Sequence, residues 1–573
     1  MKKIYETLKT PFYDDLNTAC PWDEYPRPTL VRESYLCLNG YWDFCECNKD
    51  FAQEFSEKIL VPFPPESLLS GINRQIKEEN NIFYRRFFDL PEGFLKNRFL
   101  LHFGAIDTFA EVYLNGQKIA KHTGGYLPFT IDCTDVIKEE NNELIVKAKG
   151  DLTRVYPYGK KKKKRGGMWY TPTSGIWQTV WAESVPEKYI REIKVKADMT
   201  KAEITAINCS DDAILKIEET GETFTCENGR FNVIPKTVRN WSPETPYLYY
   251  FTIKSGEDNV KGYFALREIA IKEIKGIKRL TLNDKPYLFN GLLDQGYFPD
   301  GIFLPATSKG YKNDILTSKK LGFNTLRKHI KVEPEIFYHL CDKLGMVVFQ
   351  DMVNNANYSF LLDTVLPTIG LKRLPDALRH RSKKTRQIFT AHMKETVELL
   401  NKFPSVLYYT IFNEGWGQFC ADKVFSIAKN YTEDRIVDAT SGWFQRKDSD
   451  VDSRHIYFKP VKVKKSGTRP IVISEFGGYS HRVEGHLFGE DNYGYKFFGT
   501  TEELQEQFEK LYLDEILPGI STGICGLVYT QVSDVEDETN GIMTYDRKVV
   551  KLDADKTSLV MNKLYEEMER VTR

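Results

Sequence analysis

The chain contains 573 residues, of which 41% are hydrophobic, and its 80 Lys and Arg residues balance 80 Asp and Glu residues. At about 150 residues per domain, this length predicts roughly three or four domains. The hydrophobic content excludes a mainly disordered protein, and the zero net charge argues against a nucleic-acid-binding protein. Apolar runs stay shorter than the ~18 residues that span a bilayer, so we expect no membrane partner.

The N-terminus and the cysteines favour a cytoplasmic protein. The chain opens with Met1-Lys2-Lys3 and soon reaches Glu6, without the apolar core of a secretion signal. The 10 Cys residues are scattered, and the spacing of the closest pair, Cys45 and Cys47, fits no zinc or redox motif. We therefore expect reduced, mostly buried thiols and a cytoplasmic location.

The first two regions of the chain read as strands and turns. In residues 1–184, Ala110, Val112 and Leu114 alternate with more polar neighbours up to Asn115-Gly116, a strong hairpin signal. These features predict an antiparallel β-sandwich for residues 1–184. Residues 185–272 are also strand-like, and their length suits a reduced immunoglobulin-like β-sandwich.

In residues 273–573, short apolar runs alternate with longer amphipathic segments. Eight runs read as strands, namely 287–293, 323–328, 346–350, 406–412, 435–439, 455–458, 471–474 and 526–530. Helical periods separate several of them, although those after the fifth and sixth strands are weak. The pattern predicts a (β/α)8 barrel, and a doubly wound sheet would show the same alternation.

Two carboxylates stand at the ends of predicted barrel strands. Glu414 follows the fourth apolar run and Glu475 follows the seventh, each close to glycine. One such Glu is explained equally well by a salt bridge at the barrel rim. A pair facing one barrel mouth is what retaining glycoside hydrolysis requires, because one carboxyl protonates the leaving oxygen while the other attacks the anomeric carbon.

Several motifs together resemble glycoside hydrolase family 2, which contains β-galactosidases, β-glucuronidases and β-mannosidases. They occupy residues 38–44, 103–107, 112–116, 122–129, 174–178, 241–249, 321–327 and 341–345. The resemblance covers nearly the whole chain. It implies a jelly-roll β-sandwich over 1–184, an immunoglobulin-like β-sandwich over 185–272 and a catalytic TIM barrel over 273–573.

The resemblance also assigns roles to site residues. Glu414 is implied to be the general acid/base and Glu475 the nucleophile, while Asn413 would hydrogen-bond the sugar 2-hydroxyl. Arg327, at the end of strand two, would keep the nucleophile ionised, and Tyr457 would donate to it. A structural ion pair for Arg327 and a packed aromatic for Tyr457 are the alternatives.

Two further aromatic residues are candidates for contacts with the sugar. Tyr529 occupies the place where relatives usually carry a tryptophan that stacks on the sugar. Trp443, after strand five, is expected either to line the pocket or to be an ordinary buried tryptophan.

The chain departs from the family pattern at the ends of the first two strands. His329 stands one residue earlier than the histidine of many relatives, and Asp294 and Gln295 replace a His-Glu pair. Asp294 or Gln295 is a candidate ligand of sugar hydroxyls, and His329 is a substrate-binding candidate. We predict no required metal and no cofactor.

Residues 536–538 bear on which sugar is bound. Three acids stand here where glucuronide-cleaving relatives carry a cation that pairs with the substrate carboxylate. They favour a neutral sugar, a β-galactoside first, with a β-glucuronide or an arabinopyranoside as alternatives. A basic residue of the long predicted loop 352–383, or of another chain, would restore glucuronide binding.

The run of six cations at 160–165 is expected to be a solvated loop, with the barrel mouth and the leaving group as its alternative contact. Taken together, the sequence predicts a retaining exo-β-glycosidase whose partner is a carbohydrate substrate. A carbohydrate-binding protein without catalysis is the rival from another class, and a homo-oligomer is one expectation from the family.

Overall fold

A computed structural model of the protein describes residues 8–368, 376, 380, 382–432, 434–464 and 467–573. The first part is a β-sandwich of two antiparallel sheets packed around a shared apolar core. The larger sheet contains, in spatial order, Glu57–Val61, Gly40–Cys47, Asn81–Phe88, Asn142–Lys149, Phe109–Leu114 and Gln117–Thr123. The smaller contains Leu36–Cys37, Val180–Val185, Arg98–Phe103 and Phe129–Asp132, and Ile106–Asp107 pairs with Gly175–Ile176.

The hairpin predicted at Asn115-Gly116 is confirmed. It joins Phe109–Leu114 to Gln117–Thr123, and the φ angles of its two turn residues are 51° and 81°. Positive φ at both positions is the geometry of a type I′ turn, whose twist matches that of the flanking strands.

The second part is a smaller sandwich with its own apolar core. One sheet contains Glu192–Ala197, Ala202–Ile207 and Arg230–Val233, and the other contains Thr223–Thr225, Ile214–Ile217, Tyr249–Ser255 and Asp258–Phe264. A small sheet of Ile269–Ile274, Ile277–Leu282 and Lys285–Pro286 then leads into the barrel.

All eight predicted barrel strands are present, and they form one parallel sheet. In chain order they are Phe289–Asp294, Thr325–Lys328, Val347–Asp351, Val406–Asn413, Ile436–Ser441, Asp452–Ile456, Ile471–Gly477 and Ile524–Thr530. The spatial order places the first strand beside the eighth, which excludes a doubly wound sheet. The fifth and sixth strands end that order, and their side chains meet where Ser441 Oγ lies 2.8 Å from His455 Nε2.

Helices surround the barrel on the outside. They are Lys309–Lys320, Glu335–Leu344, Lys383–Leu400, Ala421–Tyr431, Thr501–Lys510 with its continuations Leu511–Ile516 and Leu517–Ile520, and Ala554–Thr572. The weak periodicity after strands five and six is explained, because the described residues of those two connections contain no helix. Within the described ranges, no helix combines the length and the apolar character needed to span a membrane.

The predicted loop 352–383 lies partly outside the described residues, as do its Arg373, Arg379 and Arg381. Its beginning forms a short helical segment, Phe360–Val365 followed by Leu366–Thr368. The helix Lys383–Leu400 follows, capped by Ser382, whose hydroxyl accepts a hydrogen bond from the amide of Thr385 at 3.3 Å.

Candidate active site

The structure brings Glu414 and Glu475 together at the carboxyl end of the barrel. Glu414 directly follows the fourth strand with a φ of 52°, and its amide donates to the carbonyl of Ser441 at 2.9 Å. Glu475 lies within the seventh strand and is only 5% exposed. One carboxylate oxygen of each glutamate and a ring nitrogen of His455 all lie within 4.8 Å of one another.

His455 was not identified from the sequence, although it occupies the centre of this group. Its Nδ1 lies 2.9 Å from Oε1 of Glu414 and 3.5 Å from Oε2 of Glu475. The period of a strand was the available signal, because residues 455 and 457 point to the same side of an extended chain.

Arg327 connects the nucleophile candidate to the end of the fourth strand. Its guanidinium is 1% exposed and donates to Oε1 of Glu475 at 3.0 Å and to Oδ1 of Asn413 at 2.9 Å. Its Nε donates to Oδ1 of Asp351, also at 2.9 Å. The predicted contact between Arg327 and Glu475 is therefore present, and Asp351 is a further member that sequence reasoning missed.

The charge of Glu475 is stabilised from two sides. Tyr457 donates its hydroxyl to Oε2 of Glu475 at 2.5 Å, and Thr530 Oγ1 lies 3.0 Å from the same hydroxyl. Burial alone would raise the pKa of Glu475, but the charges of His455 and Arg327 and the tyrosine hydrogen bond hold that pKa below its usual value. A carboxylate with this environment stays ionised at neutral pH.

His329 and Trp443 lie at the edge of this group. His329 Nδ1 is 2.7 Å from Oδ2 of Asp351, so the histidine reaches Arg327 only through that carboxylate. Burial lowers the pKa of His329. The Trp443 ring stands edge-on to His455 at 5.6 Å, and its indole N–H donates to the carbonyl of Asp363 at 2.8 Å. That Trp443 lines the sugar pocket stays a prediction.

Two predicted substrate residues point elsewhere, and these predictions are wrong. Asp294 pairs with Lys328 at 2.7 Å, and Lys328 lies over the ring of Phe337 in a surrounding helix. Tyr529 packs at 5.1 Å from Phe508, also in a helix. The cause is the pleat of the strands, since Asp294 and Tyr529 fall on positions that face the helix layer rather than the barrel axis.

A chain of amides and a carboxylate forms another wall at the barrel mouth. Gln295 donates to Gln531 at 2.9 Å, Gln531 donates to Asn540 at 2.8 Å, and Asn540 donates to Glu538 at 3.1 Å. Oε1 of Gln295 is buried and accepts no hydrogen bond from the described residues. Glu538 also accepts from the hydroxyl of Tyr170, in the first sandwich.

The cationic run 160–165 packs partly against the first sandwich and partly against the barrel, so the prediction of a solvated loop is wrong for Lys160, Lys161 and Arg165. Lys161 is 1% exposed and pairs with Asp107. Arg165 lies 3.1 Å from Oδ2 of Asp537 and 3.7 Å from Oε2 of Glu536. Two of the three acids thought to repel an anion are therefore paired with a cation.

Lys160 is half-buried and lies close enough to Glu538 and His329 for its charge to act on both. Burial raises the pKa of Glu538, and the ammonium of Lys160 opposes that rise. The carbonyl of Lys160 accepts from the amide of Tyr170 at 3.0 Å, which anchors the segment beside the same wall.

Among the described residues, one group has the composition and spacing of a metal site, and it consists of Glu414, His455 and Glu475. The Arg327 guanidinium already lies 3.0 Å from Glu475 and 3.5 Å from Nε2 of His455. A divalent cation would meet this fixed positive charge at close range, so the residues fit proton transfer and nucleophilic attack better than metal binding.

Two models of one protein family match the chain. The model described as "Glycosyl hydrolase 2 galactose-binding domain-like" matches residues 66–196, and "Glycosyl hydrolases family 2, TIM barrel domain" matches residues 272–554. Together the matches span well over half of the chain.

Solved structures of enzymes named for different sugars share this fold. A β-D-glucuronidase of Dictyoglomus thermophilum aligns over 95% of this chain and 98% of its own, with a TM-score of 0.73 at 17% identity. A β-galacturonidase of Eisenbergiella tayi bound to galacturonate aligns over 94% and 98%, with a TM-score of 0.69 at 18% identity.

A β-galactosidase of Thermoanaerobacter pseudethanolicus is 25% identical over 332 residues, which cover 53% of this chain and 43% of that protein. The chain spans about half the length of the curated relatives it matches.

Proposed function

Since the chain belongs to glycoside hydrolase family 2, we propose that it is an exo-β-glycosidase that releases one terminal sugar with retention of configuration. The observation that carries this proposal is the spacing of Glu414 and Glu475. One carboxylate oxygen of Glu414 lies within 4.8 Å of one carboxylate oxygen of Glu475. Retaining enzymes place their two carboxyl groups about 5–5.5 Å apart, whereas inverting enzymes leave about 6.5–9.5 Å for a water molecule.

In the first step, ionised Glu475 attacks the anomeric carbon while Glu414 protonates the glycosidic oxygen, which breaks the bond to the leaving group. Arg327 and Tyr457 hold Glu475 in position and keep it ionised before the attack. In the second step, Glu414 takes a proton from water, and that water displaces Glu475 from the anomeric carbon.

Asn413 is oriented for the sugar 2-hydroxyl by its contact with Arg327. Because Oδ1 of Asn413 accepts from Arg327, its amide nitrogen is left as the group that faces the substrate as a donor. A hydrogen bond to the 2-hydroxyl strengthens as charge develops on the sugar ring, so this residue contributes to the rate rather than only to binding.

The first candidate for the sugar is a neutral hexose, with a β-galactoside as the leading substrate. Gln295, Gln531 and Asn540 offer neutral hydrogen-bonding groups along one wall, and the unsatisfied Oε1 of Gln295 is an acceptor for a sugar hydroxyl. The acid at 538 supports the same assignment, because a carboxylate accepts from hydroxyl groups and repels an anionic substrate.

A uronide is the second candidate, and Lys160 is the observation that favours it. Its ammonium lies near Glu538 and His329, while Arg165 pairs with Asp537 and reaches Glu536. Positive charge from the first sandwich thus replaces the cation that the barrel lacks. An arabinopyranoside fits the same neutral wall as a galactoside.

Hydrolysis of p-nitrophenyl β-galactoside, β-glucuronide and α-L-arabinopyranoside, with Glu475→Gln as control, tests the proposal. We expect rapid release from one glycoside and at least about a thousandfold slower release by the variant. By NMR, the first product should have the anomeric configuration of the substrate. A first product of the opposite anomeric configuration would exclude retention. Equal rates for parent and variant would refute the mechanism through Glu475. No release from any of the glycosides would favour the alternative of a carbohydrate-binding protein without catalysis.

A further inference from the structure

A cleft opens where the first sandwich meets the barrel, beside the candidate active site. It has a volume of about 490 Å³, and its lining includes Arg154, Trp169 and Tyr358 together with exposed lysines 162, 163 and 164. The rings of Trp169 and Tyr358 contact each other edge-on at 5.1 Å. The proposed hydrolysis mechanism uses none of these side chains.

The cleft lies near the acid/base candidate. The Trp169 ring meets the edge of Trp416 at 5.2 Å, and Trp416 follows Glu414 by two residues. Since Glu414 is proposed to protonate the leaving oxygen, a leaving group that extends past Trp416 toward Trp169 enters the cleft.

The wall of the cleft is held firmly against the barrel. The amide of Tyr158 donates to the carbonyl of Asn354 at 3.0 Å, and the Tyr158 hydroxyl donates to the carbonyl of Ala356 at 2.8 Å. A Cβ added to Gly159 would lie 2.8 Å from the carbonyl oxygen of Ile330, so the chain approaches the barrel as closely as a glycine permits. The cleft is therefore a built feature of the interface between the two domains.

Its charge is strongly positive in a chain whose net charge is zero. Glu78 is the one carboxylate among the described lining residues, and it pairs with Lys163 at 2.9 Å. Lys162 lies 5.2 Å from the centre of the Trp169 ring, and Arg154 donates to Asn357 Oδ1 at 2.6 Å. Lys162, Lys164 and Arg154 remain as positive charge that this lining does not balance.

We propose that this cleft binds the leaving group of the substrate and selects one that carries a negative charge, such as an acidic sugar residue of an oligosaccharide. The exposed ammonium groups supply charge complementarity, and the aromatic rings supply faces on which a pyranose stacks. The assignment rests on the proposed glycosidase function, because only that function defines a leaving group beside Glu414.

The test compares two glycosides of the accepted sugar that differ by one carboxylate on the leaving group, umbelliferyl and 3-carboxyumbelliferyl. The variant is Lys162→Gln/Lys163→Gln/Lys164→Gln. A matched control, Lys312→Gln/Lys320→Gln/Lys563→Gln, removes the same charge from exposed helix positions elsewhere.

We expect the ratio of kcat/KM for the carboxylated over the neutral substrate to fall about tenfold in the cleft variant, mainly through KM. That is the size expected from losing up to three exposed charge pairs, and salt should diminish the parent's preference. The control should keep the parental ratio. Equal ratios in the parent and in both variants would overturn the assignment.

Fluorescence titration with free 3-carboxyumbelliferone, in a Glu475→Gln background, tests the cleft without any turnover. We expect about tenfold weaker binding when the three cleft lysines are replaced, and unchanged binding in the control background. Unchanged binding in the cleft variant would overturn the inference. Cleft-dependent binding in a protein that hydrolyses no glycoside would instead refute the proposed function and leave the anion-binding cleft standing.

Discussion

His455 joins the two glutamates of the candidate active site, with Nδ1 at 2.9 Å from Oε1 of Glu414 and at 3.5 Å from Oε2 of Glu475. Its other ring nitrogen lies 2.8 Å from Oγ of Ser441, at the end of the fifth strand. The imidazole thus holds Glu414, the acid/base candidate, in place from the sixth barrel strand. We infer that His455 is a positioning residue for Glu414.

Replacing His455 with Phe should lower kcat by about a hundredfold, because Glu414 loses the group that orients it for proton transfer. Replacing it with Asn should recover part of that rate, since an amide can donate from nearly the same place as Nδ1. The measurement is kcat for p-nitrophenyl and alkyl glycosides. The alkyl glycosides, which depend more on protonation by Glu414, should be affected more. Equal losses with both leaving groups would contradict the assignment.

Replacing Arg327 with Met should move the acid limb of the pH profile to higher pH. Arg327 is among the groups that hold the pKa of Glu475 below its usual value, and the nucleophile must be ionised. In the parent, activity should therefore persist as pH falls to the usual glutamate range, and in the variant it should be lost at a higher pH. The measurement is kcat/KM against pH.

Arg327→Lys is the matched control for that prediction. It keeps the positive charge but cannot donate to Glu475, Asn413 and Asp351 together, as the guanidinium does. Its acid limb should lie near that of the parent while its kcat is reduced. Identical acid limbs in the parent and in Arg327→Met would show that Arg327 does not control the charge of Glu475.

The structure gives Tyr457 and Tyr529 different surroundings, which predict different effects of removing their hydroxyl groups. Tyr457→Phe removes the hydroxyl that donates to Glu475 and should lower kcat/KM by about tenfold to a hundredfold. Tyr529→Phe changes a ring packed against Phe508 and Tyr512 and should leave kcat/KM within about twofold. Steady-state kinetics of both variants decide this, and a large loss in Tyr529→Phe would place that ring in the sugar pocket after all.

The barrel was predictable because each of its strands is a short apolar run followed by a polar residue, and Glu414 and Glu475 stand at two such ends. The direction in which a side chain points was harder to predict. Asp294 and Tyr529 were assigned by their place in the family pattern, whereas a shift of one position along a strand sends a side chain to the opposite face. Applied strictly, that alternation would have excluded both residues.

The position of the cationic run could not be read from the sequence. Lys161 and Arg165 are paired with Asp107 and Asp537, and the second of these contacts joins residues far apart in the chain. The local composition predicts an exposed run, because composition contains no information about which acidic residues the fold places beside these cations. His455 was missed for a related reason, since its partners come from the ends of three different strands.

A final prediction concerns stability and uses a carboxyl group remote from the chemistry. Glu66 is 4% exposed and accepts hydrogen bonds from the amide and hydroxyl of Ser174, at 3.1 and 2.7 Å. Burial raises the pKa of Glu66 to about 8. In the unfolded chain this carboxyl ionises near its ordinary pKa of about 4.3, so the folded state holds its proton over a range in which the unfolded state has lost it.

The parent should therefore lose stability relative to Glu66→Gln as the pH rises from about 4.3 to about 8, and the difference should be constant above that range. At 1.36 kcal/mol per pH unit, the relative change between pH 5 and pH 8.5 is up to about 4 kcal/mol. Urea denaturation of both proteins at the two pH values measures it. A difference in unfolding free energy that is the same at both pH values would show that Glu66 ionises normally in the folded protein.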